Sequence, residues 1–439
     1  MSTTAVPEVA VTAVDEGFWT RNRKIGVALL ALGVLAAVLF GALATDQHAR
    51  FTLSETEGGA ALEINGTFGA ILFGVITIAV GAALLAGAPK RWFALLLGAG
   101  LVAFVLSFLC WQVSAAPEGR NFMPLVNVVR GTFILALPLI FGALAGVLCE
   151  RSGVVNVAIE GQLLMGAFSG ALFGSMSGSV WVGLVAAAIG GASISVLLAV
   201  FSIRYLVDQV VMGIVLNLLA VGITGFLYER LMQSDAEKYN SAPRFGNWEF
   251  PSLTLPIFGG WEIPSLSDLP LIGPALFRGN IFLYLGLLLV LVIHLALTRT
   301  RWGLRTRAVG EHPTAADTLG VKVLRLRYRN VILAGMVAGI GGASYTLALY
   351  SFTKNMIGGK GFIALAALIF GRWSPTGALL AALFFGFADQ LATYLGAIGS
   401  SIPSQFLAML PYLATILAVA GLVGKVRAPA ADGKPYIKG

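Results

Sequence analysis

The chain has 439 residues, of which 57% are hydrophobic and only 11% are charged. Soluble domains carry about 25% charged residues, so this composition cannot cover several soluble domains with polar surface. It excludes an ordinary soluble enzyme and predicts a membrane protein. The net charge is +8, and the two cysteines, Cys110 and Cys149, form neither a disulfide framework nor a metal-binding pattern.

Apolar runs recur along the chain, and a run of about 20 residues crosses the ~30 Å hydrocarbon layer as a helix. Twelve spans are predicted, at 25–44, 67–88, 92–111, 131–149, 157–178, 180–203, 210–228, 281–298, 330–351, 361–371, 375–391 and 405–424. The chain is therefore predicted to be an all-α polytopic membrane protein. The run at 361–371 is too short for a full crossing, which predicts a short or broken helix near 352–375.

The distribution of Lys and Arg predicts the orientation, since these residues favour the cytoplasmic side. With the N-terminus inside, 20 of the 29 Lys and Arg residues fall in cytoplasmic segments. Both termini are then cytoplasmic. Residues 1–24 form a polar tail before a full-length span, which is typical of a signal anchor. Residues 425–439 form the C-terminal tail.

Two loops are long enough to have a role of their own. Residues 229–280 form an external loop that holds six of the 17 prolines. Residues 299–329 form the main cytoplasmic loop, in which Pro313 and Gly320 are the start and stop signals of a short helix. Such a helix is suited to docking a partner, whereas the basic residues around it are also explained as topology anchors.

Polar residues inside apolar spans are candidates for function because they are costly in a bilayer. The candidates for lining the path of a polar solute are the polar residues Asn156, Glu160, Gln162, Asn217 and Asn355, together with the aromatic Phe362. Asn156 and Glu160 are spaced by one helical turn, so a helix-end or interhelical hydrogen bond explains them equally well. Asn217 is also explained as interhelical glue. Asp389 is a further carboxylate, which a position near the outer surface would explain without a function.

Motifs for chemistry are missing from the sequence. GGKG at 358–361 and GLVGKV at 421–426 lack the full P-loop pattern, so the chain is not expected to hydrolyse ATP. The three His residues are scattered, and no metal site is expected. Uphill transport would then depend on an ion gradient or on another chain.

Three segments together resemble a known family. They are SGVVNVAIEGQLLMGAF (152–168), RAVGEHPTAADTLGV (307–321) and GGKGFIALAALIFGRWSPTGALLAALFFGFAD (358–389). In this order they resemble the permease subunits of bacterial ABC importers, in the branched-chain amino acid and simple-sugar permease superfamily. The nearest resemblance is to the nucleoside-type permeases. Val157 and Ala158 stand where Ile and Gly are more usual in that family.

The resemblance implies a type II-like ABC importer permease fold over 127–424, preceded by an extension of about three spans at 25–126. It also implies that the short cytoplasmic helix is a coupling helix for an ATPase. The residues assigned to that contact are Arg305, Arg307, Glu311, Ala315, Ala316 and Gly320. Ala and Gly would let the helix approach the ATPase closely, which favours docking over a topology anchor.

The partners implied by the resemblance are a paralogous permease subunit in a heterodimer, a cytoplasmic ABC ATPase that binds ATP and Mg²⁺, and an external solute-binding lipoprotein. No cofactor is expected on this chain, and no nucleic acid partner. The leading hypothesis is a transporter subunit for nucleosides. The alternatives are a simple-sugar permease, a proton-coupled carrier that uses Glu160 or Asp389, and a membrane scaffold without transport.

Overall fold

This computed structural model describes residues 20–53, 61–117, 119–249, 273–400 and 427–438, with isolated positions between 253 and 271 and between 402 and 412. The described part is mostly helical, as the composition predicts. It divides into two compact units, one of Met1–Phe51, Ala61–Met123 and Ile398–Ser401, and one of Thr52–Ala60, Pro124–Ala397 and Ile402–Gly439.

The first unit is built from apolar helices that pack through small residues. The elements are α1 (Arg21–Leu35), a π-helical turn (Ala36–Phe40), α2 (Gly41–Leu43), β1 (His48–Thr52), β2 (Ala61–Asn65), α3 (Gly66–Leu85), α4 (Phe93–Ser114) and β3 (Phe122–Pro124). The three strands form a sheet of order β2-β1-β3. A Cβ on Gly26 of α1 would lie 2.8 Å from the Gly81 carbonyl oxygen of α3, so these helices touch backbone to backbone.

The second unit contains the remaining helices. They are α5 (Leu125–Glu150), α6 (Ile159–Ser177), α7 (Val180–Ala199), α8 (Gln209–Leu227), α9 (Ala236–Tyr239), α10 (Ile281–Arg299), α11 (Arg301–Glu311), α12 (Pro313–Thr318), α13 (Val323–Thr346), α14 (Lys360–Phe370) and α15 (Pro375–Ile398). π-Helical turns extend α7 (Val200–Arg204) and α8 (Tyr228–Met232), and a third lies at Gly273–Phe277.

Within the described part, eight helices are long and apolar enough to cross a membrane. Every predicted span that ends before residue 398 overlaps a helix, including α6 and α13, which are less apolar than those eight. The predicted short helix at 361–371 is confirmed as α14, which has 11 residues. Most of the predicted span at 405–424 lies outside the described residues, as do residues 1–19 of the N-terminal tail.

The structure corrects three details. The prediction of an all-α chain is wrong in the loop 229–280, which contains short strands. There β4 (Asn247–Glu249) pairs with β7 (Arg278–Asn280), and β5 (Leu253–Leu255) pairs with β6 (Trp261–Ile263). The loop 299–329 is largely helical, because α11, α12 and the start of α13 occupy it. Asn156 precedes α6 and therefore does not share a helical turn with Glu160.

Helices α6, α7 and α13 form the most closely packed part of the second unit. A Cβ on Gly339 of α13 would lie 2.1 Å from the Ala187 carbonyl oxygen of α7, and one on Gly342 would lie 1.9 Å from the Leu163 carbonyl oxygen of α6. Because backbone atoms are the neighbours, no side chain can move aside to make room. These glycines fix the spacing of the three helices.

We therefore expect Gly339→Ala to destabilise the protein by about 1–3 kcal/mol, the usual cost of overpacking. Gly222→Ala on α8 is the matched control, since a Cβ there would meet nothing within 4 Å. The measurement is the thermal denaturation midpoint of the purified protein in detergent. Equal midpoints for the two variants would contradict the close approach of α7 and α13.

Candidate functional site

Helix α14 begins beside the middle of α5. A Cβ on Gly142 of α5 would lie 2.7 Å from the Ala364 Cβ, and one on Gly146 would lie 2.7 Å from Leu368 Cδ2. These contacts fall in the second half of α5, a helix of 26 residues, and the two helices run in the same direction. Lys360, one turn before Ala364, is therefore level with the centre of α5. The start of α14 thus lies beside the middle of a helix that is long and apolar enough to cross a membrane.

Glu160 accepts hydrogen bonds from the N–H groups at the start of the short helix α14. Its Oε1 accepts a hydrogen bond from the Gly359 N–H at 2.8 Å, and its Oε2 accepts one from the Gly361 N–H at 2.6 Å. The first N–H groups of a helix have no partner inside the helix, and they attract negative charge. Gly361 is required here, since a Cβ on it would lie 2.4 Å from the Glu160 nitrogen.

The start of α6 receives a corresponding partner from α8. Asn217 Oδ1 accepts from the Gly161 N–H at 2.8 Å, and Asn217 Nδ2 donates to the Val157 carbonyl oxygen at 2.9 Å. The side chain therefore holds the last residues before α6 as well as its first turn. This is the interhelical role that the sequence left as one alternative for Asn217.

Asn156 and Gln162 pair with each other through both amide groups. Each donates to the side-chain oxygen of the other at 3.0 Å, and Gln162 Nε2 also donates to Ser195 Oγ at 2.8 Å. The exposed fraction of both side chains is 0%. The pair fixes the loop before α6 against α7.

The structure thus brings together four of the six residues predicted to line a solute path. Asn156, Glu160, Gln162 and Asn217 are all buried, and their side chains hydrogen-bond protein groups around the first turns of α6 and α14. In this arrangement they position two helix starts. The other two, Asn355 and Phe362, are exposed, and Asn355 has a positive φ in the turn before α14. A role of any of the six in a solute path stays a prediction.

Two ion pairs flank the same region. Lys360, the first residue of α14, pairs with Asp389 of α15, and both side chains are largely buried. Lys354 pairs with Glu229 at 2.5 Å, with both side chains more than half exposed. Asp389 is therefore not an isolated carboxylate at a surface, as one interpretation of the sequence supposed.

A strained turn connects α14 to α15, and the sequence analysis did not single out the residues that hold it. Arg372 and Trp373 both have positive φ, near 53° and 52°. Arg151 Nε donates to the Trp373 carbonyl oxygen at 2.8 Å, and the Trp373 indole N–H donates to Glu150 Oε2 at 2.5 Å. The charged pair that ends α5, Glu150 and Arg151, was the available signal.

The short helix predicted in the loop 299–329 is confirmed as α12 (Pro313–Thr318), but its buried and exposed sides differ from the expectation. Ala316 is buried against its own chain, in a cluster with Val309, Val323 and Tyr436. The exposed surface of this segment instead carries Leu319, whose side chain is 85% exposed. Arg305, Glu311, Ala315 and Gly320 are exposed and Arg307 is half-buried, and Gly320 ends the segment with φ +80°.

Comparison with known proteins places the chain in a transport family. The family described as "Branched-chain amino acid transport system / permease component" matches residues 128–423. The chain belongs to this family. The guanosine ABC transporter permease protein NupQ of Bacillus subtilis is 41% identical over 327 residues, covering 71% of this chain and 97% of NupQ.

Two further relatives differ in the solute they are named for. The nucleoside ABC transporter permease protein NupC of Lactococcus lactis is 40% identical over 71% of this permease and 96% of NupC. The putative glucose ABC transporter permease protein TsgC13 of Haloferax volcanii is 34% identical over 60% of this permease and 76% of TsgC13. No solved structure matches the chain.

The permease is a transporter subunit and a multi-pass membrane protein, as its family and its apolar helices establish. The family match begins at residue 128, so most of the first unit lies outside it. Among the described residues, no group of three or more His, Cys, Asp or Glu side chains could hold a metal ion.

The geometry at Glu160 predicts that Glu160→Gln destabilises the permease. The amide can accept only one of the two N–H groups and turns its own N–H₂ toward the other, at a cost of about 1–3 kcal/mol. Glu229→Gln is the matched control, because an ion pair between exposed side chains contributes little to stability. Thermal denaturation in detergent measures both variants. If the denaturation midpoint of Glu160→Gln equals that of the wild type, the Glu160 carboxylate does not stabilise α14.

Proposed function

We propose that the permease forms the transmembrane path of an ATP-driven importer for nucleosides. The observation that carries this proposal is the similarity to NupQ and NupC over nearly their whole length, since both are named for guanosine or nucleoside transport. The half-helix α14 supports it, because irregular backbone at membrane depth is tolerated where it is buried or lines a cavity.

Two alternatives have less support. A sugar solute is suggested by the putative glucose permease, but that relative is less similar and covers less of the chain. A proton-coupled carrier needs a carboxylate that is free to exchange protons. Glu160 accepts two backbone hydrogen bonds and Asp389 pairs with Lys360, so both candidates are engaged.

For the path itself, we assign different roles to the six candidate residues. Asn156, Glu160, Gln162 and Asn217 hold the helix starts, and the exposed Asn355 and Phe362 are the ones available to a solute. An amide and an aromatic face suit a nucleoside, whose ribose needs hydrogen bonds and whose base needs an apolar wall.

The membrane arrangement we propose has twelve spans, with both termini on the cytoplasmic side of the bacterial inner membrane. Residues 1–24 and 425–439 are the cytoplasmic tails, 25–126 are an extension with three spans, and 127–424 are the permease core. The Lys and Arg distribution supports this orientation. It places the loop 229–280 outside and α12 inside.

We propose that the permease pairs with a paralogous permease, receives solute from an external binding lipoprotein and docks a cytoplasmic ATPase, which binds ATP and Mg²⁺. The docking surface is the exposed side of α11 and α12. Leu319 is its apolar centre, with Ala315 and Gly320 beside it and Arg305, Arg307 and Glu311 as polar contacts. The absence of a P-loop in the sequence supports a separate ATPase.

The orientation is tested with single cysteines at Ser234 and Thr314, which are both exposed. In intact cells, an impermeant thiol reagent should label the cysteine at 234 and not the one at 314. The native Cys110 and Cys149 are buried and give a low background. Labelling at 314 from outside would reverse the orientation and remove α12 from the ATPase.

The energy source and the solute are tested by uptake of labelled guanosine into cells that contain the complete transporter. Uptake should stop when the P-loop lysine of the partner ATPase is replaced, because the permease has no such motif. It should persist when an uncoupler collapses the proton gradient at constant ATP. Excess unlabelled nucleosides should compete and excess glucose should not. Loss of uptake on uncoupling would favour the carrier, and competition by glucose alone would favour a sugar permease.

A further inference from the structure

The C-terminal tail, residues 427–438, lies against the docking loop. The Ala431 N–H donates to the Gly310 carbonyl oxygen at 2.8 Å, and the Ala430 N–H donates to Glu311 Oε2 at 3.2 Å. Tyr436 is 7% exposed and packs with Val309, Ala316 and Val323. The tail therefore contacts α11, α12 and the start of α13 together.

The same tail also reaches the end of α5. Arg327 of α13, which is 2% exposed, donates through Nη1 to the Lys434 carbonyl oxygen at 3.0 Å and through Nε to the Ser152 carbonyl oxygen at 3.1 Å. The Asp432 carboxyl group of the tail lies near the Glu150 carboxyl group at the end of α5.

The electrostatics of Asp432 agree with this buried position. Burial raises the pKa of Asp432, and the neighbouring Glu150 carboxyl group, the Gly433 N–H and the Arg327 guanidinium oppose that rise. Asp432 is thus held among charged groups of the core, and Ala431 and Tyr436 are buried, whereas most other residues of the tail are exposed.

We propose that the C-terminal tail is a brace that holds α12 in the position needed to dock the ATPase and joins it to the turn at the end of α14. The proposal rests on the proposed function of α12 as the ATPase docking helix. Tyr436 is the principal positioning residue of the brace.

The first reason is that α12 cannot hold its own position. It has six residues, and isolated helices of this length do not persist in water. Its one buried side chain, Ala316, packs in the small cluster to which the tail contributes Tyr436. The Tyr436 hydroxyl also lies near the Asp317 carboxylate of α12. Without the tail, the inner face of α12 loses its aromatic partner.

The second reason is that the tail and the half-helix share a contact. Glu150 lies near Asp432 of the tail and also accepts a hydrogen bond from the Trp373 indole in the turn that follows α14. A movement of the docking loop is therefore transmitted by the tail to the turn that follows α14. A direct contact exists as well, because a Cβ on Gly310 would lie 2.3 Å from the Arg151 carbonyl oxygen. The brace is the second attachment of the loop to the core.

The experiment compares four variants in the complete transporter. Tyr436→Ala removes the ring from the cluster, and Tyr436→Phe keeps the ring. Ile437→Ala is the matched control, because that neighbouring side chain is 73% exposed. Leu319→Asp tests the docking surface itself. The readouts are ATP-driven uptake per inserted permease and co-purification of the ATPase.

We expect Tyr436→Ala to lower uptake and ATPase co-purification about tenfold or more, since truncating a buried aromatic side chain disrupts its cluster. Tyr436→Phe should stay within about twofold of the wild type because it keeps the packed ring, and Ile437→Ala should do so because surface changes usually have small effects. A purely structural tail would lower the amount of inserted protein while leaving uptake per molecule normal. That result would overturn the proposal.

Leu319→Asp separates this proposal from the proposed function. If Leu319→Asp leaves ATPase binding and uptake intact, α12 is not the docking helix, and the proposed function of the loop fails. If Leu319→Asp abolishes both while Tyr436→Ala is normal, docking stands and the brace is wrong.

A measurement on the wild-type protein keeps the proposal testable even if Tyr436→Ala does not fold. In the permease–ATPase complex, hydrogen exchange at the amides of Ala316 and Ala431 should proceed at similar rates, because segments that open as one unit exchange together. Exchange of the tail orders of magnitude faster than that of α12 would contradict the brace.

Discussion

The hydrogen bonds from Gly359 and Gly361 to Glu160 are the interaction on which the core architecture depends. A helix that starts in the membrane interior exposes N–H groups where water is scarce, and each unsatisfied group is costly there. Glu160 removes this cost for α14 from the first turn of α6, which Asn217 stabilises in turn. The broken helix is therefore possible only while α6, α8 and α14 stay together.

Two kinds of contact hold the helices of the second unit together, namely close backbone contacts at glycines and polar contacts of side chains. Helices α6, α7 and α13 touch through glycine backbones, which leaves little freedom to slide. The start of α14 is held by the hydrogen bonds to Glu160 and by the ion pair of Lys360 with Asp389. Its end is held by the contacts of Trp373 with Glu150 and Arg151. Polar contacts therefore hold α14 at both ends, whereas backbone contacts hold α6, α7 and α13 together.

The sequence predicted those features that depend on local pattern. Apolar length located the helices, and Pro313 and Gly320 located α12 within one residue of its end. It did not predict features that depend on distant pairing. Glu160 meets a segment 199 residues away, and Ala316 was assigned to the docking face although Tyr436 covers it. A single sequence also could not distinguish a polar residue that lines a path from one that caps a helix.

The contact between Ala431 and Gly310 has a consequence for biosynthesis. Residues 427–438 follow all the described membrane helices in the chain, so the ribosome makes them after those helices. Until they emerge, the cluster around Ala316 lacks Tyr436 and the packing of α12 is incomplete. A nascent permease therefore completes the surface around α12 only after its described membrane helices have been synthesised.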